Sequence, residues 1–137
     1  MSKVSLAETL KMKYPEMYDS VSCGIYVDEG WHNIVFMLSN IIYNHCKFQI
    51  KNGKMESFPK VAQIKEKFGG LRFYMDGGDS FCNGAIHMAE VIAETTCEVC
   101  GKEGKLRRGG WIKTLCDVHD KERTQKMESF NQMNLDI

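Results

Sequence analysis

The sequence has no excess charge of either sign. It contains 18 Lys and Arg residues and 18 Asp and Glu residues, so its formal net charge is zero. Non-specific binding to DNA or to an anionic membrane requires a basic excess. The balance therefore argues against a protein that coats either surface, although a local basic patch could still bind a phosphate-bearing partner.

Long apolar runs are also missing. No segment stays apolar over the roughly 20 residues that a membrane-spanning helix needs. The N-terminal stretch MSKVSLAETLKMKYPEMY lacks the apolar centre of a signal peptide. We therefore expect a cytoplasmic protein without a membrane partner. Disulfides are rare in that compartment, so the six cysteines require another explanation, and metal binding is the first candidate.

The sequence also contains no internal repeat, no glycine-rich phosphate loop and no nucleophile motif. Its 137 residues, 43% of them apolar, fit one domain with a real core, or a small domain with an appendage. We place an α+β core domain at residues 1–96. A zinc-binding, treble-clef-like unit with a C-terminal helix occupies residues 97–137.

Three helices are predicted in the core domain. Ser5 and Glu8 fit a capping box that begins a short helix over residues 5–14. Gly30 marks the start of a long helix, in which apolar residues recur at helical spacing. These residues are Trp31, Ile34, Val35, Leu38, Ile41 and Ile42. A third helix over about residues 81–96 is capped by Asp79 or Ser80.

Alternating apolar residues predict the strands. Phe48 and Ile50 alternate before Asn52-Gly53, a pair that is typical of tight turns. A longer hairpin is predicted over residues 61–75, turning at Gly69-Gly70. Its inward set is Ala62, Ile64 and Phe68 on the first strand and Leu71, Phe73 and Met75 on the second. The predicted fold class is α+β, with two or three antiparallel strands packed on helices and a zinc finger following them.

The segment CEVCGKEGKLRRGGWIKTLCDVH contains two close pairs of metal ligands. Cys97 and Cys100 form the first pair, Cys116 and His119 form the second, and 15 residues separate the pairs. Zinc prefers four tetrahedral sulfur and nitrogen ligands, and a two-residue gap lets both members of a pair reach one ion. The spacing predicts one structural zinc ion. Four protein ligands leave no open position for hydrolytic chemistry.

Local signals around these ligands predict a knuckle, a hairpin and a helix in that order. Gly101 permits a tight turn after the first pair, and the hairpin turns at Gly109-Gly110. The second pair then lies in the first turn of a helix. This order resembles a treble-clef zinc finger from residue 97 to about residue 131. Treble clefs bind DNA, RNA or proteins, so this resemblance implies a metal site without implying a particular function.

The loop between the ligand pairs is basic and carries a tryptophan. Only Glu103 opposes its cations, which are Lys102, Lys105, Arg107, Arg108 and Lys113. Arginine can grip a phosphate or a carboxylate, and Trp111 can stack on a base or anchor a protein contact. Alternatively, the arginines are solvated and Trp111 fills the seam between the finger and the core domain, which we favour slightly for Trp111.

A second basic surface is predicted on the hairpin of residues 61–75. The face opposite its apolar set carries cations beside an aromatic ring, namely Lys65, Lys67, Arg72 and Tyr74. Proteins that bind single-stranded nucleic acid combine these residue types. An ordinary exposed sheet face explains the pattern more simply.

Three other groups have simpler explanations than a site. A second metal site could be drawn from Cys23, Cys46 and Cys82 with His45 or His87, but buried free cysteines explain the irregular spacing better. Asp76 and Asp79 could bind a cation, although turns and caps use the same residues. Asp28 and Glu29 before Trp31 and His32 could form a catalytic pair, for which no nucleophile is evident.

Two stretches together resemble a group of small proteins carried by bacteriophages and prophages. The stretches are QIKEKFGGLRFYMDGGD and CEVCGKEGKLRRGGWIKTLCDVH, and the resemblance covers roughly residues 61–119. It implies a phage-related context in the host cytoplasm, without an activity. Small phage proteins often act by binding, so the expected partner is a host or defence protein, or a nucleotide.

The sequence thus favours a non-catalytic, zinc-stabilised binding protein that interferes with a host or anti-phage defence component. A nucleic-acid-binding accessory protein is the first alternative, and its binding would weaken steeply with salt. A small enzyme is the second, and it requires a concave site where carboxylates or His32 have shifted pKa values.

Overall fold

The computed structural model describes residues 5–19 and 24–135. Its helices are α1 (Leu6–Lys13), α2 (His32–Lys51), α3 (Ser80–Ala93) and α4 (Asp117–Leu135), and a 3-10 turn at Glu29–Trp31 precedes α2. Its strands are β1 (Gly24–Tyr26), β2 (Lys60–Lys67), β3 (Gly70–Asp76), β4 (Lys105–Arg107) and β5 (Lys113–Leu115). The α+β prediction is confirmed. Within these residues, no helix combines the length and apolarity needed to cross a bilayer.

The predicted caps begin α1 and α3. The Ser5 side chain accepts a hydrogen bond from the backbone N–H of Glu8 at 3.1 Å. The Asp79 carboxylate accepts one from the backbone N–H of Cys82, also at 3.1 Å. Each bond satisfies an N–H group that has no partner inside its own helix. Local sequence signals therefore set both helix starts correctly.

The predicted strand around Phe48 and Ile50 is wrong, because α2 continues through both residues to Lys51. The two-residue alternation was too short to outweigh the helical spacing that precedes it. The predicted turn residues end the helix instead. The N–H of Asn52 still bonds to the carbonyl of Phe48 at 3.1 Å, and Gly53 follows with a φ of 71°, as is common just past a helix end.

The sheet is mixed, with strand order β1-β2-β3. The predicted hairpin is confirmed, since β2 and β3 are antiparallel with Ile64 opposite Phe73. The third strand is β1, which pairs in parallel with β2 and places Ile25 beside Ile64. A three-residue parallel strand shows too little alternation to be recognised from the sequence.

Two inward positions of the hairpin were predicted incorrectly. A β-bulge between Val61 and Gln63 shifts the register, so Val61 is fully buried and Ala62 is only partly buried. Phe68 lies in the turn with a φ of 53°, and 68% of its surface is exposed. Strand alternation cannot apply to a residue in the left-handed region.

The main core lies between the sheet and the helices. Helix α2 packs against α3, and α3 packs against β3. The largest fully buried side chains come from every part of the core domain and include Leu10, Tyr18, Trp31, Ile42, Ile64 and Leu71. The helical layer retains exposed apolar side chains on its outer side, among them Phe48 and Met88.

Hydrogen bonds fasten the chain from Thr96 onwards to this core. The indole N–H of Trp31 donates to the carbonyl of Thr96 at 2.8 Å, and the backbone N–H of Gly30 donates to the carbonyl of Glu98 at 2.8 Å. Farther along, the Thr114 hydroxyl donates to the carbonyl of Gly69 at 2.7 Å. The C-terminal unit, residues 97–135, is therefore docked on the core at two places.

Two glycine-to-alanine substitutions should have opposite effects on stability. A Cβ on Gly30 would lie 2.1 Å from the carbonyl oxygen of Cys97, whereas a Cβ on Gly84 within α3 meets nothing within 4 Å. Gly84→Ala should raise the free energy of unfolding by about 0.5–1 kcal/mol through helix propensity. Gly30→Ala should lower it by about 1–3 kcal/mol or more through overpacking.

Urea unfolding at a fixed Zn²⁺ concentration measures both effects, and Gly84→Ala reports on whether substitution itself perturbs the fold. Full stability of Gly30→Ala would show that the two units are not in close backbone contact.

Candidate functional site

A tight turn presents the first ligand pair. The N–H of Gly101 donates to the carbonyl of Cys97 at 3.0 Å, and the φ of Gly101 is 81°, a value that glycine adopts readily. The N–H of Cys97 donates to the carbonyl of Lys102 at 2.7 Å. This closed turn directs Cys97 and Cys100 towards one point and forms the predicted knuckle.

The start of α4 presents the second pair. Cys116 precedes the helix, and its carbonyl accepts a bond from the N–H of Asp120 at 2.9 Å. Its sulfur accepts the backbone N–H of His119 at 3.4 Å. Knuckle, hairpin β4–β5 and helix α4 thus follow one another in the predicted treble-clef order.

The four donor atoms form a compact group that could hold one metal ion. All lie within 4.8 Å of one another. The Sγ of Cys100 is 3.8 Å from the Sγ of Cys116, and the Nδ1 of His119 is 3.7 Å from the Sγ of Cys97. Metal bonds of 2.0–2.3 Å in a tetrahedron imply ligand separations of about 3.3–3.8 Å. The donor set therefore fits a tetrahedral ion.

The electrostatics at Cys116 favour a thiolate ligand. The pKa of Cys116 is lowered to about 6, mainly by the hydrogen bond from the backbone N–H of His119. The pKa of His119 is raised by its side-chain hydrogen bond to Cys116. Metal binding requires the deprotonated sulfur, so the turn that positions Cys116 also prepares it to bind a cation.

Arg107 is engaged within the C-terminal unit. Its guanidinium lies 2.8 Å from the Asp117 carboxylate and 3.4 Å from the Asp120 carboxylate, and its Nε donates to the carbonyl of Leu115. The hydrogen bond from Arg107 lowers the pKa of Asp117. Partner binding by Arg107 stays a prediction. Its neighbour Arg108 is exposed, and partner binding by Arg108 stays a prediction too.

Trp111 does not fill the seam between the units, contrary to the explanation favoured from the sequence. Its surface is 75% exposed, and its carbonyl accepts a hydrogen bond from the guanidinium of Arg123 on α4. The backbone at the hairpin tip is therefore held while the indole remains accessible.

Phe68 and Trp111 line a common cleft. This apolar cleft has a volume of about 370 Å³ and is lined by Glu66, Lys67, Phe68, Gly110, Trp111 and Ile112. One wall comes from the β2–β3 turn, and the other comes from the β4–β5 hairpin. The hydrogen bond between Thr114 and Gly69 fixes these two turns relative to each other.

Trp111 also borders a second cleft, which is rich in carboxylates. This acidic cleft has a volume of about 310 Å³ and is lined by Tyr26, Val27, Asp28, Glu66, Glu98, Trp111 and Lys113. Tyr26 is 67% exposed. The two clefts share Glu66 and Trp111 and therefore adjoin.

Glu98 is the most buried of these carboxylates, with 3% of its surface exposed. Burial raises its pKa, and its carboxylate accepts a bond from the N–H of Thr114 at 2.7 Å. The enzyme alternative requires a carboxylate with a shifted pKa in a concave site. The bond to Thr114 equally gives Glu98 a structural role within the C-terminal unit.

The predicted basic residues of the β2–β3 hairpin do lie on one face of the sheet. Lys65 stands directly opposite Arg72 in the ladder, so the two side chains share a face with Lys67 and Tyr74. The Nζ of Lys65 lies 5.8 Å from the centre of the Tyr74 ring. Whether this face binds a partner stays a prediction, as does such a role for Lys113.

His45, Asp79 and Cys82 form a second group of potential ligands. The His45 Nε2 is only 2.7 Å from an Asp79 oxygen, which is a hydrogen-bond distance. This bond lowers the pKa of Asp79 to about 2. Cys46 and Cys82 are fully buried, with sulfurs 3.7 Å apart. Cys23 lies outside the described residues, and His87 is exposed. We interpret this group as a helix cap in which Asp79 is held by a hydrogen bond with His45.

No protein-family model, curated protein or solved structure matches the chain. The site is therefore interpreted from its own geometry. That geometry brings the four predicted metal ligands together and adds residues that sequence analysis missed, chiefly Tyr26, Glu66, Phe68 and Glu98. They come from separate turns, and no short motif connects them.

The purified protein should contain one metal ion per chain. Cys100→Ser should lose that ion and the fold of the C-terminal unit, because the unit buries only Cys97, Leu115 and Cys116 as its own apolar cluster. Cys82→Ser is the matched control, since Cys82 belongs to the second group. Native mass spectrometry measures the stoichiometry. Two ions in the parent and one in Cys82→Ser would overturn the assignment of the second group.

Arg107→Ala should weaken metal retention, because Asp117 at the start of α4 would lose its bond to Arg107 and Asp120 would be left with Arg123 alone. The expected change is a several-fold faster loss of metal to a chelator, because charge-assisted hydrogen bonds that hold the first turn of α4 are removed. Arg108→Ala should release metal at the parent rate. Equal rates for the two variants would show that Arg107 does not support the ligand helix.

Proposed function

We propose that this protein is a non-catalytic binding protein whose C-terminal unit is stabilised by one zinc ion. Three cysteines and a histidine are the donors that structural zinc prefers. The ion would hold the β4–β5 hairpin in shape, and the four protein ligands would leave it no open position for chemistry. Binding would occur at the apolar cleft, some distance from the ligands.

The exposed aromatic pair carries this proposal. Trp111 is 75% exposed and Phe68 is 68% exposed, and both side chains line the apolar cleft. Large apolar side chains left in water are costly unless a partner covers them, and tryptophan is among the residues that contribute most to protein interfaces. The Thr114–Gly69 hydrogen bond fixes the cleft before binding, which reduces the entropy lost on association.

The expected occupant is an apolar side chain of a partner protein. A volume of about 370 Å³ admits a side chain and a short stretch of backbone. The zero net charge gives no general attraction to nucleic acid. Lys67 at the edge of the cleft, with its Nζ 5.9 Å from the centre of the Phe68 ring, would orient the partner.

The biological setting of this proposal rests on the phage resemblance alone. A phage or prophage protein of this kind would act in the host cytoplasm by covering a surface of a host or defence protein. Zinc would make such a small unit stable without a large core.

A nucleotide or a single-stranded nucleic acid is the second candidate. The basic face supports it, because Lys65 lies over the Tyr74 ring beside Arg72 on the neighbouring strand. Phosphate contacts release counterions, so this mode would weaken steeply as salt rises. Binding at the apolar cleft would change much less with salt.

The proposal predicts that peptides selected against the zinc-loaded protein will depend on the aromatic pair. A random peptide library should be displayed against the parent, and the affinities of the selected peptides should then be measured for Trp111→Ala, Phe68→Ala and Phe48→Ala. The first two should weaken binding at least tenfold, as expected for interface residues worth more than about 1.4 kcal/mol. Phe48→Ala should not.

Phe48 is a suitable control because it is 63% exposed on α2 and does not line either cleft. Selected peptides that bind Trp111→Ala and the parent equally would exclude the apolar cleft. Binding of a single-stranded oligonucleotide that is lost between low and moderate salt, and that depends on Lys65 and Arg72, would support the second candidate instead.

A further inference from the structure

The acidic cleft is not explained by binding at the apolar cleft alone. Three carboxyl groups line it, from Asp28, Glu66 and Glu98, against the single ammonium group of Lys113. The cleft therefore carries more carboxyl groups than cations, and a ligand of opposite charge would complement it.

Aromatic rings add a second observation that is independent of the carboxylates. Tyr26 and Trp111 border the same cleft and are 67% and 75% exposed. The face of an aromatic ring attracts a cation, and tryptophan attracts it most strongly. Carboxylates and exposed rings together therefore select for a flat cation more than for a hydrated metal ion.

The shared wall between the clefts identifies the source of that cation. Trp111 and Glu66 line both clefts, so a ligand that fills the apolar cleft also reaches the acidic one. A partner protein can supply an apolar side chain and a neighbouring basic side chain in a single segment. The positive charge of that basic side chain would complement the acidic cleft.

Arginine suits this cleft better than lysine. Its planar guanidinium can stack on an indole or phenol ring while its N–H groups bond to carboxylates. Asp28 is available for such a bond, because its side chain makes no capping bond at the 3-10 turn that it precedes. Glu98 is held in place by the N–H of Thr114, so the site is partly ordered in advance.

We propose that the acidic cleft binds an arginine side chain of the partner protein, adjacent to the residue that occupies the apolar cleft. This inference rests on the proposed binding function and specifies its partner as a segment with an apolar residue beside an arginine. Asp28 and Glu66 accept the guanidinium N–H groups, and Trp111 separates the two partner side chains.

The chain provides its own reporters for a test. It contains two tryptophans, and only Trp111 borders the clefts. Trp31 is fully buried, and its indole N–H is bonded to the carbonyl of Thr96. In a nitrogen-15 spectrum of the zinc-loaded full chain, the Trp111 indole signal reports ligand binding, and the Trp31 signal reports any change in the fold.

The probe is Nα-acetyl-L-arginine amide, and the matched control ligand is Nα-acetyl-L-citrulline amide, which has nearly the same shape without the charge. The arginine compound should shift the Trp111 signal in a saturable way and leave Trp31 unchanged. Citrulline should bind at least tenfold more weakly, because it lacks the charge that strengthens hydrogen bonds to carboxylates.

Asp28→Asn should weaken arginine binding roughly tenfold for the same reason. Glu66→Gln should do likewise, and Glu56→Gln, an exposed acidic position that lines neither cleft, should not. Equal shifts with arginine and citrulline, or full arginine binding by Asp28→Asn, would overturn the proposal.

These outcomes separate this inference from the proposed function. If selected peptides need Phe68 but the Trp111 signal ignores the arginine probe, the acidic cleft has no such role and the binding function survives. If the probe binds through Asp28 while no peptide depends on Phe68, the guanidinium site stands and the apolar cleft is excluded.

Discussion

The hydrogen bonds made by Glu98 are the constraint on which the rest of the structure depends. Its carbonyl accepts the N–H of Gly30, its own N–H donates to the carbonyl of Thr114, and its carboxylate accepts the N–H of Thr114. A buried group that loses such a partner costs about 1–3 kcal/mol. Two of these bonds hold the knuckle to β5, and the bond from Gly30 joins the knuckle to the core domain. Because the clefts have walls from both units, their shape depends on these bonds together with the Thr114–Gly69 bond.

The metal ligands and the docking contacts together keep the C-terminal unit folded and in place. The C-terminal unit buries very little apolar surface of its own, namely Cys97, Leu115 and Cys116, so it cannot fold by hydrophobic burial alone. An ion would fix the knuckle to the start of α4, and Arg107 ties that start to the hairpin. Docking then orients the hairpin relative to the core domain.

Features that depend on neighbouring residues could be predicted from the sequence, and features that depend on distant ones could not. Cap residues, the β2–β3 hairpin and the four ligands follow from local spacing. The parallel strand β1 does not, because its partner β2 lies more than 30 residues away in the chain. Both clefts escaped prediction for the same reason, since Tyr26, Phe68 and Trp111 come to line two adjoining clefts only after folding.

Helix α4 exposes most of its surface to solvent. Its 19 residues would span about 28 Å, and most of them are exposed. An isolated helix of this length is marginal in water because its first turn is costly to form. Here a ligand, His119, belongs to that first turn, so a bound ion would provide the nucleus. The C-terminal end of α4 would then be ordered when the metal is bound and less ordered when it is lost. The helix would therefore transmit the state of the metal site to a distant part of the surface.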